Sequence, residues 1–128
     1  MGQQLAAISL LIDDYDAAIA YYTQVLGFAL LEDVPLGPDK RWVKVQPNGG
    51  GCAFVLAKAT TAKQQALIGD QGGGQVWLFL PTDDFTRDYR QLQAKGVTFH
   101  EAPRYEAYAT VAVFSDKYGN RWDLLQPN

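Results

Sequence analysis

The chain has one cysteine, Cys52, and one histidine, His100, among its 128 residues. A single cysteine excludes an internal disulfide, and one Cys with one His cannot build a Cys/His structural zinc site. That usage predicts a reducing cytoplasm as the compartment. Positive charge is also scarce: eleven Lys and Arg against fourteen Asp and Glu leave a net charge of -3. No Lys/Arg cluster is present that would neutralise a run of phosphates, so nucleic acid is not an expected partner. Long apolar runs are missing as well. The longest, Leu5 to Ile12, falls far below the ~18 residues of a membrane span, and no basic segment precedes it as in a signal peptide. Gly2 follows the first Met, but Ala6 stands where a myristoylation signal needs Ser or Thr. The reading is a soluble chain with no membrane partner.

What is present is a composition that folds. With 48% hydrophobic and 20% charged residues in 14.1 kDa, the chain suits one globular domain with its own core. An internal repeat organises it. Asp13-Asp14-Tyr15 recurs 70 residues later as Asp83-Asp84-Phe85. Apolar residues at helical spacing follow each copy: Tyr15, Ile19, Tyr22 and Leu26 in the first, and Phe85, Tyr89 and Leu92 in the second. Asp14 and Asp84 suit N-caps, and Gly27 and Gly96 suit the left-handed position that ends a helix.

An apolar run precedes each helix, Leu5–Ile12 and Gln75–Leu80, and three strand-like segments follow it. In the first half these are Ala29–Val34, Arg41–Gln46 and Cys52–Ala57. In the second they are Val97–Glu101, Tyr108–Phe114 and Asn120–Gln126, with Ala102-Pro103-Arg104 read as a turn. Each half therefore reads βαβββ, over about residues 1–59 and 75–128. The stretch 60–74 reads as a linker with a short helix over Ala62–Ile68, and both halves are expected to share one α+β domain. Lys40 to Lys44 reads as a strand with Trp42 and Lys44 on one face, which suggests an edge protected by lysine, with cup lining as the alternative.

Two segments carry a resemblance to a known family. Ile12-Asp13-Asp14-Tyr15-Asp16-Ala17-Ala18-Ile19-Ala20-Tyr21-Tyr22-Thr23-Gln24-Val25-Leu26-Gly27-Phe28 resembles a signature of the vicinal oxygen chelate superfamily, which includes glyoxalase I, extradiol dioxygenases and bleomycin and fosfomycin resistance proteins. Asp116-Lys117-Tyr118-Gly119-Asn120-Arg121-Trp122-Asp123-Leu124 is similar to the segment that ends the same family's domain. The resemblance implies paired βαβββ modules curved into a cup that holds the ligand, and commonly a homodimer. It also implies where a metal would be held. The two first-strand histidine positions are Ala7 and Trp77 here, the glutamate position of the first module falls near Phe54, and only Asp123 occupies an acidic position. One short carboxylate is not a chelate, so neither a metal nor another cofactor is expected.

Period-two alternation places Arg121, Asp123 and Leu125 on one face of the last strand, and the resemblance implies that this face lines the cup, with Trp77 and Phe79 lining it from the fifth. Trp77, Phe79, Arg104, Tyr108, Arg121 and Asp123 are accordingly the candidate ligand-binding residues, and Tyr105 lies in the same loop. His100 and Asp123 are the candidate acid/base groups. A lone histidine is more often a surface or structural residue, and Asp123 is equally suited to a simple ion pair. A Cys52–His100 pair would need the two to meet in space. The leading expectation is small-molecule binding in an apolar aromatic cup. The alternatives are a metal-independent acid/base enzyme and a dimeric interaction module.

Overall fold

The computed structural model describes residues 2–128. Within them the elements run β1 (Ala7–Ile12), α1 (Tyr15–Ala20), β2 (Ala29–Gly37), β3 (Lys40–Gln46), β4 (Ala53–Lys58) and α2 (Ala62–Leu67). They continue with β5 (Val76–Pro81), α3 (Phe85–Ala94), β6 (Thr98–Phe99), β7 (Arg104–Tyr105), β8 (Ala109–Ser115) and β9 (Arg121–Pro127). Two compact units divide at the end of α2, Met1–Ala66 and Leu67–Asn128. The fold is α+β and its topology is the same in both. In the first unit the strand order is β1-β4-β3-β2, with β1 parallel to β4 and the other pairs antiparallel. In the second it is β5-β9-β8-β6, with β5 parallel to β9, and β7 also pairs with β8. Among the described residues no helix is long and apolar enough to cross a membrane.

Both helix starts form as their sequences direct. Asp14 Oδ2 accepts from Ala17 N at 2.8 Å and Asp84 Oδ1 from Arg87 N at 3.1 Å, satisfying first-turn amides that have no partner within the helix. Gly27 and Gly96 take positive φ, 77° and 87°, where a Cβ would be strained. These two glycines stand 69 apart, whereas the caps stand 70 apart. The extra residue of the first copy is absorbed in a π-helical turn, Tyr21–Val25, that continues α1. There Leu26 N donates to Tyr21 O at 3.2 Å, and the Thr23 hydroxyl donates to Ile19 O at 2.7 Å. The widened turn keeps Tyr22 fully buried, as its repeat equivalent Leu92 is.

The segment ending the domain is held by one buried carboxylate. Asp116 Oδ1 accepts from Tyr118 N and Asn120 N at 2.9 and 3.1 Å, and its Oδ2 from Asn120 Nδ2 and Trp122 Nε1, both at 3.0 Å. The Trp122 indole so anchored stacks on Phe114, and Phe99 and Tyr89 extend the aromatic row toward α3. The Asp-x-x-Gly-Asn pattern is thus a clamp for the core of the second unit.

The structure corrects three strand readings. Strand β3 lies between β2 and β4, so Lys44 is on an interior strand; the edge is β2, along which every residue is exposed. Arg104 is part of strand β7 rather than a turn, because its pairing with Val111 resumes the ladder after an interruption. The strand expected at Val97–Glu101 is correspondingly cut to Thr98–Phe99. Between the two pieces His100 N donates to Val113 O at 2.9 Å, while the Glu101 side chain accepts from Val113 N at 3.3 Å. A carboxylate replaces the strand carbonyl that Pro103 and its neighbours withdraw from the ladder.

Candidate ligand-binding site

Burial along β9 alternates: Trp122 and Leu124 are buried, Asp123 and Leu125 half-buried, and Arg121 exposed. Because α3 packs on β9, Trp122 and Leu124 face the helix and the odd-numbered residues face away. Paired residues in a ladder share a face, so register extends the helix-free face across the sheet. One row is Phe79–Asp123–Val113, the next is Pro81–Leu125–Val111–Arg104, and a third is Val76–Arg121–Ser115–Thr98. Phe79 is 63% exposed on this face. An aromatic ring that stays in water beside a half-buried carboxylate is the feature that most distinguishes this face from a solvated sheet.

Asp123 is poorly provided for. Its Oδ1 is sealed from solvent and meets no hydrogen-bond donor. Desolvation pushes its pKa above the ordinary value, while the positive charge of Arg104 pulls it down and the negative charge of Glu101 pushes it up. Arg104 is the stronger of these two charges, but its guanidinium gives its hydrogen bonds elsewhere. Its Nε donates to both Glu101 oxygens, at 2.9 and 3.1 Å, and its Nη1 to Glu106 at 3.0 Å. Tyr108, whose ring is 63% exposed, helps to raise the pKa of the same guanidinium.

The other forecast residues lie apart from this row. His100 is exposed and its Nε2 hydrogen-bonds Ser115 Oγ, at the Arg121 end of the face. Trp77 is displaced by a register shift between Val76 and Leu78, so counting by twos from Phe79 does not carry to it. It lies instead against Gly72, where a Cβ would come within 2.6 Å of the Trp77 Cβ. Tyr105 pairs with Thr110 and so points to the opposite face of the sheet. Cys52 belongs to the first unit, where its thiol donates to Ala53 O.

Sequence reasoning missed Glu101 and Glu106 as the partners that occupy Arg104. Their alternating signs over five residues were the available signal. Among the described residues no three His, Cys, Asp or Glu side chains converge as a metal would require. Ala7 and Trp77 offer no ligand atoms where a chelate needs imidazoles, so these residues do not fit a metal of the family's kind.

A concavity of about 350 Å³ lies in the first unit beside the start of α1 and the β2–β3 turn. Its lining mixes Asp14, Asp39, Lys40, Arg41 and Lys58. Arg41 there binds Asp33 and Asp16, both at 2.8 Å, and lies over the Tyr15 ring, so it serves as a tie between β3, β2 and α1.

Comparison with known proteins agrees with this architecture. The chain is 49% identical over its full length to an uncharacterized protein of Shewanella frigidimarina (strain NCIMB 400), covering 96% of that protein. Among solved structures, TnmS3, an antibiotic binding protein from Streptomyces sp. CB03234, superposes with a TM-score of 0.78 at 31% identity, covering 98% of this chain and 97% of that one. UcmS2 superposes with a TM-score of 0.82 at 29% identity, covering 98% of each chain. Residues 4–124 match the family described as Glyoxalase/Bleomycin resistance protein/Dioxygenase superfamily, and the chain belongs to that superfamily.

Proposed function

We propose that the protein binds a small, largely apolar organic molecule with a planar aromatic part, on the helix-free face of the β5-β9-β8 sheet, without a metal or other cofactor. The observation that carries this reading is Phe79, exposed in the same row as an Asp123 oxygen that is sealed from solvent and has no protein donor. Small-molecule sites combine apolar surface with a few placed polar groups, and Phe79, Leu125, Val113 and Asp123 supply that combination. The likeness to TnmS3, described as an antibiotic binding protein, supports the same class of ligand. Binding rather than turnover is the expected activity, because His100 and Asp123 stand in different rows of the sheet. Catalysis that His100→Ala abolishes while binding survives would replace this reading with an acid/base enzyme.

The test uses anthracene-9-methanol, whose fluorescence reports binding. The protein should bind it, and Phe79→Ala should weaken the affinity at least tenfold, about 1.4 kcal/mol, through loss of ring contact. The melting temperature should stay unchanged, since Phe79 contributes little buried surface. No binding at millimolar probe, or equal affinity in Phe79→Ala, would contradict the proposal.

We further propose that a single domain of this kind works in the cytoplasm as a homodimer. Leu30, Leu31, Val34 and Leu36 on edge strand β2 are all exposed, an apolar edge that soluble proteins normally cover. Sedimentation equilibrium at tens of micromolar should show twice the chain mass. A species of 14.1 kDa would contradict it.

A further inference from the structure

The row that holds Phe79 also constrains the charge of what binds there. Asp123 is half-buried and its sealed Oδ1 has no protein donor, so the carboxylate meets the face without a hydrogen-bond partner of its own for that oxygen. The charges around it do not compensate a carboxylate. Arg104, on β7, is hydrogen-bonded to two glutamates, Glu101 and Glu106, so this group of three is net negative. Arg121 is exposed and sits one row away, paired across the ladder with Ser115 near His100, and makes no ion pair among the described residues. A ligand nitrogen at Asp123 would meet the carboxylate itself with the net-negative Glu101–Arg104–Glu106 group behind it, which together favour a cation.

Spacing narrows the chemistry further. Phe79 and Asp123 are direct neighbours on adjacent parallel strands, about 5 Å apart. A ring stacked on Phe79 places a nitrogen one carbon from its edge at Asp123, whereas a nitrogen on a long tether would pass it.

Resting on the binding reading above, we propose that the ligand class is a planar aromatic amine, with the ring on Phe79 and a protonated nitrogen, one carbon or less from the ring, donating to the Asp123 carboxylate. The amine forms a charge-assisted bond that a neutral hydroxyl makes more weakly and a carboxylate cannot make. Asp123 is therefore the residue that selects by charge, and Phe79 the residue that selects by shape.

Three probes with the same ring separate these roles: 9-(aminomethyl)anthracene, anthracene-9-methanol and anthracene-9-carboxylate, titrated near neutral pH by fluorescence. The amine should bind at least tenfold more tightly than the alcohol, and the carboxylate more weakly than either. In Asp123→Asn the amine and the alcohol should come within about twofold of each other, with the alcohol still bound and the melting temperature not lowered. Equal affinities for amine and alcohol, tighter binding of the carboxylate, or an amine preference that survives in Asp123→Asn would each overturn the charge assignment while leaving aromatic binding intact. Absence of binding by all three would overturn the binding reading itself, and this assignment with it.

Discussion

Asp116→Ala should lower the stability of the protein by about 2–5 kcal/mol, the largest effect expected of any single polar substitution in the chain. The carboxylate is buried and takes four hydrogen bonds, two from backbone amides and two from the side chains of Asn120 and Trp122. Truncation leaves those donors without partners in a site that water enters poorly, and each unsatisfied buried group costs roughly 1–3 kcal/mol. The losses are not additive, because the four donors belong to one turn that will partly relax. Against a total stability on the order of 5–15 kcal/mol, most of the margin is at stake. Asp116→Asn should recover only part of it, since an amide nitrogen then faces the Asn120 and Trp122 donors. Urea denaturation followed by Trp fluorescence measures the effect. A midpoint that does not move in Asp116→Ala would mean that the clamp does not support the indole.

Asp123→Asn should do the reverse, stabilising the fold at pH 7 by on the order of 1 kcal/mol while losing ligand selectivity. Desolvation, the largest influence on Asp123, raises its folded-state pKa, and so the native protein holds this proton to a higher pH than the unfolded chain does. Below the ordinary Asp pKa of about 3.9 both states are protonated and the substitution should be nearly neutral. As pH rises from there through the raised folded value, the unfolded chain ionises first and wild-type stability falls relative to the variant. Above that window the gap is constant. Denaturation curves of the two proteins from pH 3 to 8 should therefore diverge with increasing pH and then run parallel. A variant less stable than wild type at neutral pH would show that the carboxylate has a partner and is structural. A residue that costs stability in the free protein and improves discrimination in the bound one has the signature of a functional group.

Features that a strand or helix carries in its own sequence were legible before the structure. The N-caps Asp14 and Asp84, the glycines that end both helices, and the alternation of β9 all depend on local chemistry, and the structure shows each of them. Alternation gave the faces of β5 and β9 separately, and only the family resemblance put Phe79 and Asp123 on the same one, where the ladder pairs them. The π-helical turn was encoded only in the change of repeat offset from 70 to 69 between the caps and the terminating glycines. What could not be read was pairing. The shift that moves Trp77 out of line and the gap that splits β6 from β7 belong to two strands at once, and neither strand announces a bulge by itself. The Arg104 to Glu101 and Glu106 pairs follow from that gap, which is why an apparent ligand anchor is instead a neutralised group. Burial differs in kind again. Nothing in the pattern of β9 distinguishes a solvated Asp123 from one with a sealed oxygen.

The central claim is that the working surface is the face carrying Phe79, Asp123 and Leu125, and backbone amide chemical shifts measure this most directly. In a titration of isotopically labelled protein with 9-(aminomethyl)anthracene, the account predicts saturable shifts centred on Phe79, Leu80, Asp123, Leu124 and Val113, with the first unit's Arg41 concavity unaffected. Shifts that cluster around Asp39, Lys40, Arg41 and Lys58, or that spread evenly over the surface without saturating, would contradict it.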